Sequence, residues 1–133
     1  MLRGLVVTHG ELGGALIDAA FLIMGGREGV EALSNREFGR ERLVEALLDR
    51  FRALPAGDGL LVMVDAPGAG PHVAARLALS RLPEEERPLV LGPVTGVNLP
   101  LLLTFLNRRE TTPAEDLLPL LLDRGRAGIL VAD

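Results

Sequence analysis

The run Leu60-Leu61-Val62-Met63-Val64 has no polar side chain at any position. Successive strand residues point to opposite faces, so an all-apolar strand needs cover on both sides, the situation of a central strand in a parallel sheet. The turn Pro55-Ala56-Gly57-Asp58-Gly59 precedes this run and Asp65 ends it. The rest of the chain alternates around it. Residues 3–8 read as a short buried strand, and Glu11 to about Met24 as a helix with Leu12, Ala15, Leu16, Ala19 and Ala20 at helical spacing, closed by Gly25-Gly26. Val30 to Ser34 is a second strand. A helix over 40–54 follows, with Leu43, Leu47, Phe51 and Leu54 on one stripe.

Beyond Asp65, the loop Ala66-Pro67-Gly68-Ala69-Gly70 leads to Pro71, which suits the first turn of a helix running to about Leu82 because its missing N–H costs nothing there. Residues 88–95 make a fourth strand, with Pro93 marking its end or an exposed edge. Asn98 reads as the N-cap of a helix to about Asn107. Thr112-Pro113-Ala114-Glu115 reads as a capping box before a final helix closed by Gly125, and Ile129 to Val131 as a last short strand. The order predicts a single domain, residues 1–133, of class α/β. Its architecture is a three-layer α/β/α sandwich on a mainly parallel sheet of four strands plus a short C-terminal strand.

Composition narrows the chemistry. With no cysteine and two histidines in 133 residues, disulfides and thiolate chemistry are excluded, and no metal site or cofactor is expected. A net charge of −4, with fourteen arginines dispersed among acids and no Trp or Tyr, argues against nucleic-acid binding. No apolar stretch reaches membrane-spanning length and no secretory signal is evident, so a cytoplasmic location is expected.

In an open α/β sheet, chemistry collects at the carboxyl ends of the strands. Three loops, after the first, third and fourth strands, are expected to converge there, bringing together His9, the Asp65 loop and Gly96-Val97-Asn98. A carboxylate that accepts one ring N–H of a histidine fixes its tautomer and leaves the other nitrogen as a nucleophile. A glycine-rich turn opening a helix, here Gly68-Ala69-Gly70-Pro71, offers backbone N–H groups and a helix dipole to a phosphoryl group. These features point to a histidine that accepts phosphate: His9 and Asp65 as its reactive pair, with Thr8, Gly68, Gly70, Pro71, His72 and Asn98 as candidate pocket residues. Each also has a plainer reading, His72 as a surface residue and Asn98 as a helix cap.

Val7-Thr8-His9-Gly10, Leu16-Ile17-Asp18-Ala19-Ala20, Gly57-Asp58-Gly59, Asp65 with Gly68-x-Gly70-Pro71, and Val94-Thr95-Gly96-Val97-Asn98-Leu99-Pro100 resemble the mannose-type IIA domain of the bacterial phosphoenolpyruvate-dependent sugar phosphotransferase system. The resemblance implies a relay in which His9 takes phosphate from the carrier protein HPr, through Nε2, and passes it to a IIB component for sugar uptake. Asp65 would hold Nδ1. It implies no sugar contact, attachment to a membrane permease only through partners, and a homodimer that exchanges the segment Ile129 to Val131. One stretch departs from the pattern. Relatives usually read Thr-Asp-Leu-aromatic-Gly-Gly-Ser-Pro-x-Asn where this chain has Val64-Asp65-Ala66-Pro67-Gly68-Ala69-Gly70-Pro71-His72-Val73, without the hydroxyls. Two alternatives follow. One is a regulatory or sensor paralogue of the same fold, including a dihydroxyacetone kinase phosphodonor-like role. The other rests on Thr8-His9-Gly10-Glu11, similar to the Arg-His-Gly-Glu of histidine phosphatases but lacking that arginine.

Overall fold

The computed structural model describes residues 1–26, 28–36 and 38–133. Four strands, β1 (Leu2–Thr8), β2 (Val30–Ser34), β3 (Gly59–Val64) and β4 (Leu89–Val94), form one sheet in the order β2-β1-β3-β4. All three pairings are parallel. Five helices connect or follow them: α1 (Leu12–Met24), α2 (Arg40–Arg52), α3 (Gly70–Arg81), α4 (Leu99–Arg108) and α5 (Ala114–Ala127).

Strand alternation sorts the core into two halves. Leu5, Val7, Leu60, Val62 and Val64 face one way and pack with Leu43, Leu47 and Phe51 of α2 and Ala74, Ala75 and Ala78 of α3. Val6, Leu61 and Met63 face the other way, against Ile17 and Ala20 of α1, Leu102 and Phe105 of α4, and Leu117 and Leu121 of α5. All six residues Gly59 to Val64 are buried. This is the double cover that the apolar run demands, and the molecule is a three-layer sandwich. Small residues set the spacing on the α1 side: a Cβ at Gly13 would stand 3.2 Å from the Val6 carbonyl oxygen, so α1 lies close on β1.

Pro93 lies within β4, which is an edge strand as a proline without an N–H requires. The pairing of β3 with β4 shifts register between Leu61 and Met63.

Three sequence expectations are corrected at the carboxyl end. The capping box at Thr112 does not form, because Pro113 itself takes the N-cap position at φ −56° and ψ 145° without a side-chain cap. Its carbonyl accepts from Asp116 and Leu117 at 3.0 and 2.8 Å. Gly125 does not close α5, which continues to Ala127. Gly125 is instead a packing glycine, since a Cβ there would come within 3.2 Å of Leu101. The segment Ile129 to Val131 makes no strand within the chain and is 80%, 68% and 98% exposed.

Candidate functional site

The strand order places a reversal between β1 and β3: the chain moves from β1 outward to β2 in one direction, then to β3 and β4 in the other. A crevice opens at the carboxyl ends of strands that flank such a switch point. His9 follows β1 and Asp65 follows β3, so the two residues stand on its two sides.

Their contact is tight. Asp65 Oδ2 lies 2.7 Å from His9 Nδ1 and accepts the His9 backbone N–H at 2.9 Å. Its other oxygen, Oδ1, accepts the Ala66 N–H at 3.0 Å. Partial burial pushes the Asp65 carboxyl upward, but the His9 backbone N–H, the His9 ring hydrogen bond and ring charge, and its own backbone together outweigh it. Asp65 therefore titrates below the ordinary carboxylate range and is ionised near neutrality. An ionised carboxylate only accepts hydrogen bonds, so His9 Nδ1 is the donor, and in the neutral ring this is the tautomer whose Nε2 keeps its lone pair. The Asp65 side chain is 11% exposed and that of His9 53%. The orienting group is sheltered and the nucleophile is open.

The other sequence candidates divide. Thr8 is fully buried and its hydroxyl accepts the Gly13 N–H at 2.8 Å, serving the start of α1. Gly68, at φ +77°, makes a turn few side chains tolerate, and its N–H donates to His72 Nδ1 at 2.8 Å. An Nδ1 that accepts this bond belongs to the ring tautomer opposite to that of His9, and the Gly68 N–H is occupied by it. Pro71 occupies the first turn of α3 as anticipated. The N–H groups of Gly70 and His72 in that turn have no intrahelical partner by helix geometry, and they remain donors for an anion.

Asn98 is committed elsewhere. Its Oδ1 caps α4 by accepting from Leu101 at 3.0 Å, and its Nδ2 donates to the Gly125 carbonyl at 2.9 Å. It lines a cleft of about 610 Å³ with Thr95, Gly96, Leu118, Arg126 and Ile129, not the crevice at His9. The reason is topological, because β4 is two places from β1. Asn98→Ala removes a cap and a tie between α4 and α5, and is expected to cost about 1–2 kcal/mol. Urea unfolding measures this.

What the sequence reading missed is the loop after β2. Asn35 Oδ1 accepts the Gly10 N–H at 3.4 Å, and Asn35 Nδ2 stands 4.0 Å from where a Cβ on Gly70 would lie. The Arg36 guanidinium reaches Glu11 Oε1 at 3.3 Å and would stand 3.0 Å from a Cβ on Gly10. The loops that meet at His9 are thus those after β1, β2 and β3, replacing the expected set of first, third and fourth. The available signal was position alone: Ser34-Asn35-Arg36 ends a strand next to β1. Among the described residues, no group of three or more His, Cys, Asp or Glu is placed to hold a metal. No helix among them is long and apolar enough to cross a membrane.

Comparison with known proteins identifies the family. The chain is 28% identical over 127 residues to the mannose-specific EIIAB component of the phosphotransferase system (PTS) of Escherichia coli K12. That match covers 92% of this chain and 36% of the relative, so the chain spans about a third of its length. Among solved structures, the EIIA phosphotransferase component from Streptococcus agalactiae superposes with a TM-score of 0.83 at 22% identity, covering 98% of this chain and 97% of that one. The mannose/sorbose-specific IIA subunit from Enterococcus faecalis gives 0.71 at 19% identity, covering 98% and 94%. At those identities the likeness establishes the fold. A sequence model of the family described as "PTS system fructose IIA component" (EIIA-man) matches residues 4–120, and the chain belongs to that family of phosphotransferase-system IIA domains.

Proposed function

We propose that this chain is a phosphocarrier that takes a phosphoryl group from phosphorylated HPr onto His9 Nε2 and hands it to a IIB component for sugar uptake. The observation that carries the reading is the pairing of His9 Nδ1 with the sheltered Asp65 carboxylate at 2.7 Å, which leaves Nε2 unprotonated on an exposed ring. A relay between two proteins needs an acceptor that a partner's imidazole can approach in line, and a deep pocket would obstruct it. His9 sits on an open crevice accordingly. The donors for the equatorial oxygens are the Gly70 and His72 N–H groups at the start of α3.

Transfer between imidazoles requires no net proton movement. The neutral His9 ring attacks phosphorus through Nε2 while the donor nitrogen leaves with its electron pair, and the Nδ1 proton of His9 stays on Asp65's side throughout. Asp65 then faces a phosphorylated ring that carries positive charge, a better counter-ion partner than the neutral one. No metal or cofactor enters this scheme, and the domain works in the cytoplasm, reaching a membrane permease only through its partners.

Incubation with phosphoenolpyruvate and the general phosphotransferase proteins is expected to add one acid-labile phosphoryl group, read by intact mass. No mass gain would overturn the proposal. The hydroxyl-free stretch 65–73 favours one second reading, a regulatory paralogue that accepts phosphate but does not deliver it to sugar uptake. Discharge of the phosphorylated chain by a IIB component distinguishes the two.

The exposed segment Ile129 to Val131 and the edge strand β4 support a homodimer in which each tail pairs with the partner's sheet. Light scattering is expected to report a dimer that becomes a monomer when residues 129–133 are removed. A native monomer would contradict it.

A further inference from the structure

The crevice at His9 has a shortage and a surplus. From Asp65 to Val73 the chain supplies no hydroxyl, lysine or arginine, and the Gly68 N–H is spent on His72. On the opposite wall, Asn35 and Arg36 project from the loop after β2. Arg36 is 64% exposed and its ion-pair partner Glu11 is 78% exposed. A pair of that kind, 3.3 Å apart in high-dielectric surroundings, is worth about 0–1 kcal/mol and exchanges readily. Its guanidinium lies against the backbone of Gly10, the residue next to His9.

We infer that Arg36, seated beside His9 by the loop after β2 and supported by Asn35 across from Gly70, clamps the phosphoryl oxygens on phosphorylated His9. The inference rests on the phosphocarrier reading. A dianionic phosphoryl group is a stronger partner for the guanidinium than a solvated carboxylate, and the planar fork matches two of its oxygens. On phosphorylation, Arg36 leaves Glu11 for the phosphoryl group. There Arg36 also offsets the repulsion between the phosphoryl group and Glu11, a negative charge two residues from the acceptor. Among the described residues, the charged and titratable groups around the crevice are then Glu11 and His9 from the first loop, Arg36 from the second, and Asp65 and His72 from the third and the helix that follows.

The step balances without a further reactant. With phosphoramidate as donor, the N–P bond breaks, ammonia leaves with the electron pair, and the bond from phosphorus to His9 Nε2 forms. The test compares native chain, Arg36→Ala and Arg36→Lys, charged with phosphoramidate, by the rate of labelling and by the pH titration of the bound phosphoryl in 31P NMR. Arg36 is exposed and on a loop, so both variants are expected to fold as the native chain does.

Arg36→Ala is expected to label about tenfold or more slowly, less than the 10²–10³ lost with a donor in a closed site, because water partly replaces it here. Its phosphoryl group is expected to titrate at higher pH, since a neighbouring cation favours the dianion, and Arg36→Lys is expected to lie between. Equal rates, or a slower rate with an unmoved phosphoryl titration, would overturn the clamp while leaving the phosphocarrier intact. A native chain that takes no phosphoryl group would overturn both.

Discussion

His9→Ala is expected to abolish phosphoryl acceptance while leaving the fold as it is. The ring is half in solvent and its one strong contact is with Asp65. Alanine keeps the backbone N–H that donates to Asp65 at 2.9 Å, so the carboxylate retains two of its three donors, and the loss of stability should stay within about 1 kcal/mol. The second histidine does not stand in. His72 Nδ1 is occupied by the Gly68 N–H, and among the described residues no carboxylate contacts its ring to hold it in a nucleophilic tautomer. Intact mass after exposure to phosphoenolpyruvate and the general proteins should therefore show no phosphoryl group on the variant, with a thermal midpoint within about 5 °C of the native one. A phosphorylated variant would move the acceptor elsewhere.

Asp65→Asn should cost up to about 10⁴ in the rate of acceptance, the loss that follows when the residue fixing a catalytic tautomer loses its charge. The geometry explains why an amide is a poor replacement. The carboxylate accepts three N–H groups, two from His9 and one from Ala66. An asparagine has one acceptor oxygen, so one of those directions must face its NH₂. If the NH₂ turns toward His9, the ring is driven to protonate Nε2 and the nucleophile is gone. If it turns toward Ala66, two donors oppose each other and the phosphorylated ring has lost its counter-ion.

The same substitution has a signature in stability. Asp65 titrates below its ordinary value in the folded chain, so the unfolded chain binds its proton first as pH falls. Its contribution is whole above the unfolded value of about 3.9 and is lost as pH drops through the lower folded value. Urea midpoints of the native chain should fall across that acidic window, and Asp65→Asn should flatten the part owed to this group. A native and variant pair with the same acid dependence would show that the carboxylate is not held as described.

Local signals were legible in the sequence. The all-apolar run Leu60 to Val64 demanded two covering layers and has them, Pro71 opens α3, and Asn98 caps α4 with its own side chain. Each depends on a few consecutive residues and on backbone chemistry that distant parts of the chain do not alter. His9 and Asp65 were singled out because both end apolar strands, and their contact then required only that β1 and β3 be neighbours.

What the sequence did not disclose depends on strand order. The loops after β1, β2 and β3 meet because β1 lies between β2 and β3. No local pattern states that, so nothing in the sequence marks Asn35 and Arg36, and Asn98 reads as a neighbour of His9 although β4 lies two places from β1. Glycine was ambiguous for a related reason. Gly125 has the appearance of a helix stop, but Leu101 and the Asn98 amide pack against it in the helix interior. Thr112 was outranked by Pro113, whose fixed φ and extended ψ already make the entry to α5.

The central claim is that Asp65 presents His9 Nε2, and no other nitrogen, to an incoming phosphoryl group. NMR of the phosphorylated, 15N-labelled chain tests it directly, by correlating phosphorus with the imidazole nitrogens. The predicted result is one phosphoryl group coupled to Nε2 of His9, with a proton retained on Nδ1. Phosphorus on Nδ1 of His9, or on His72, would contradict the account.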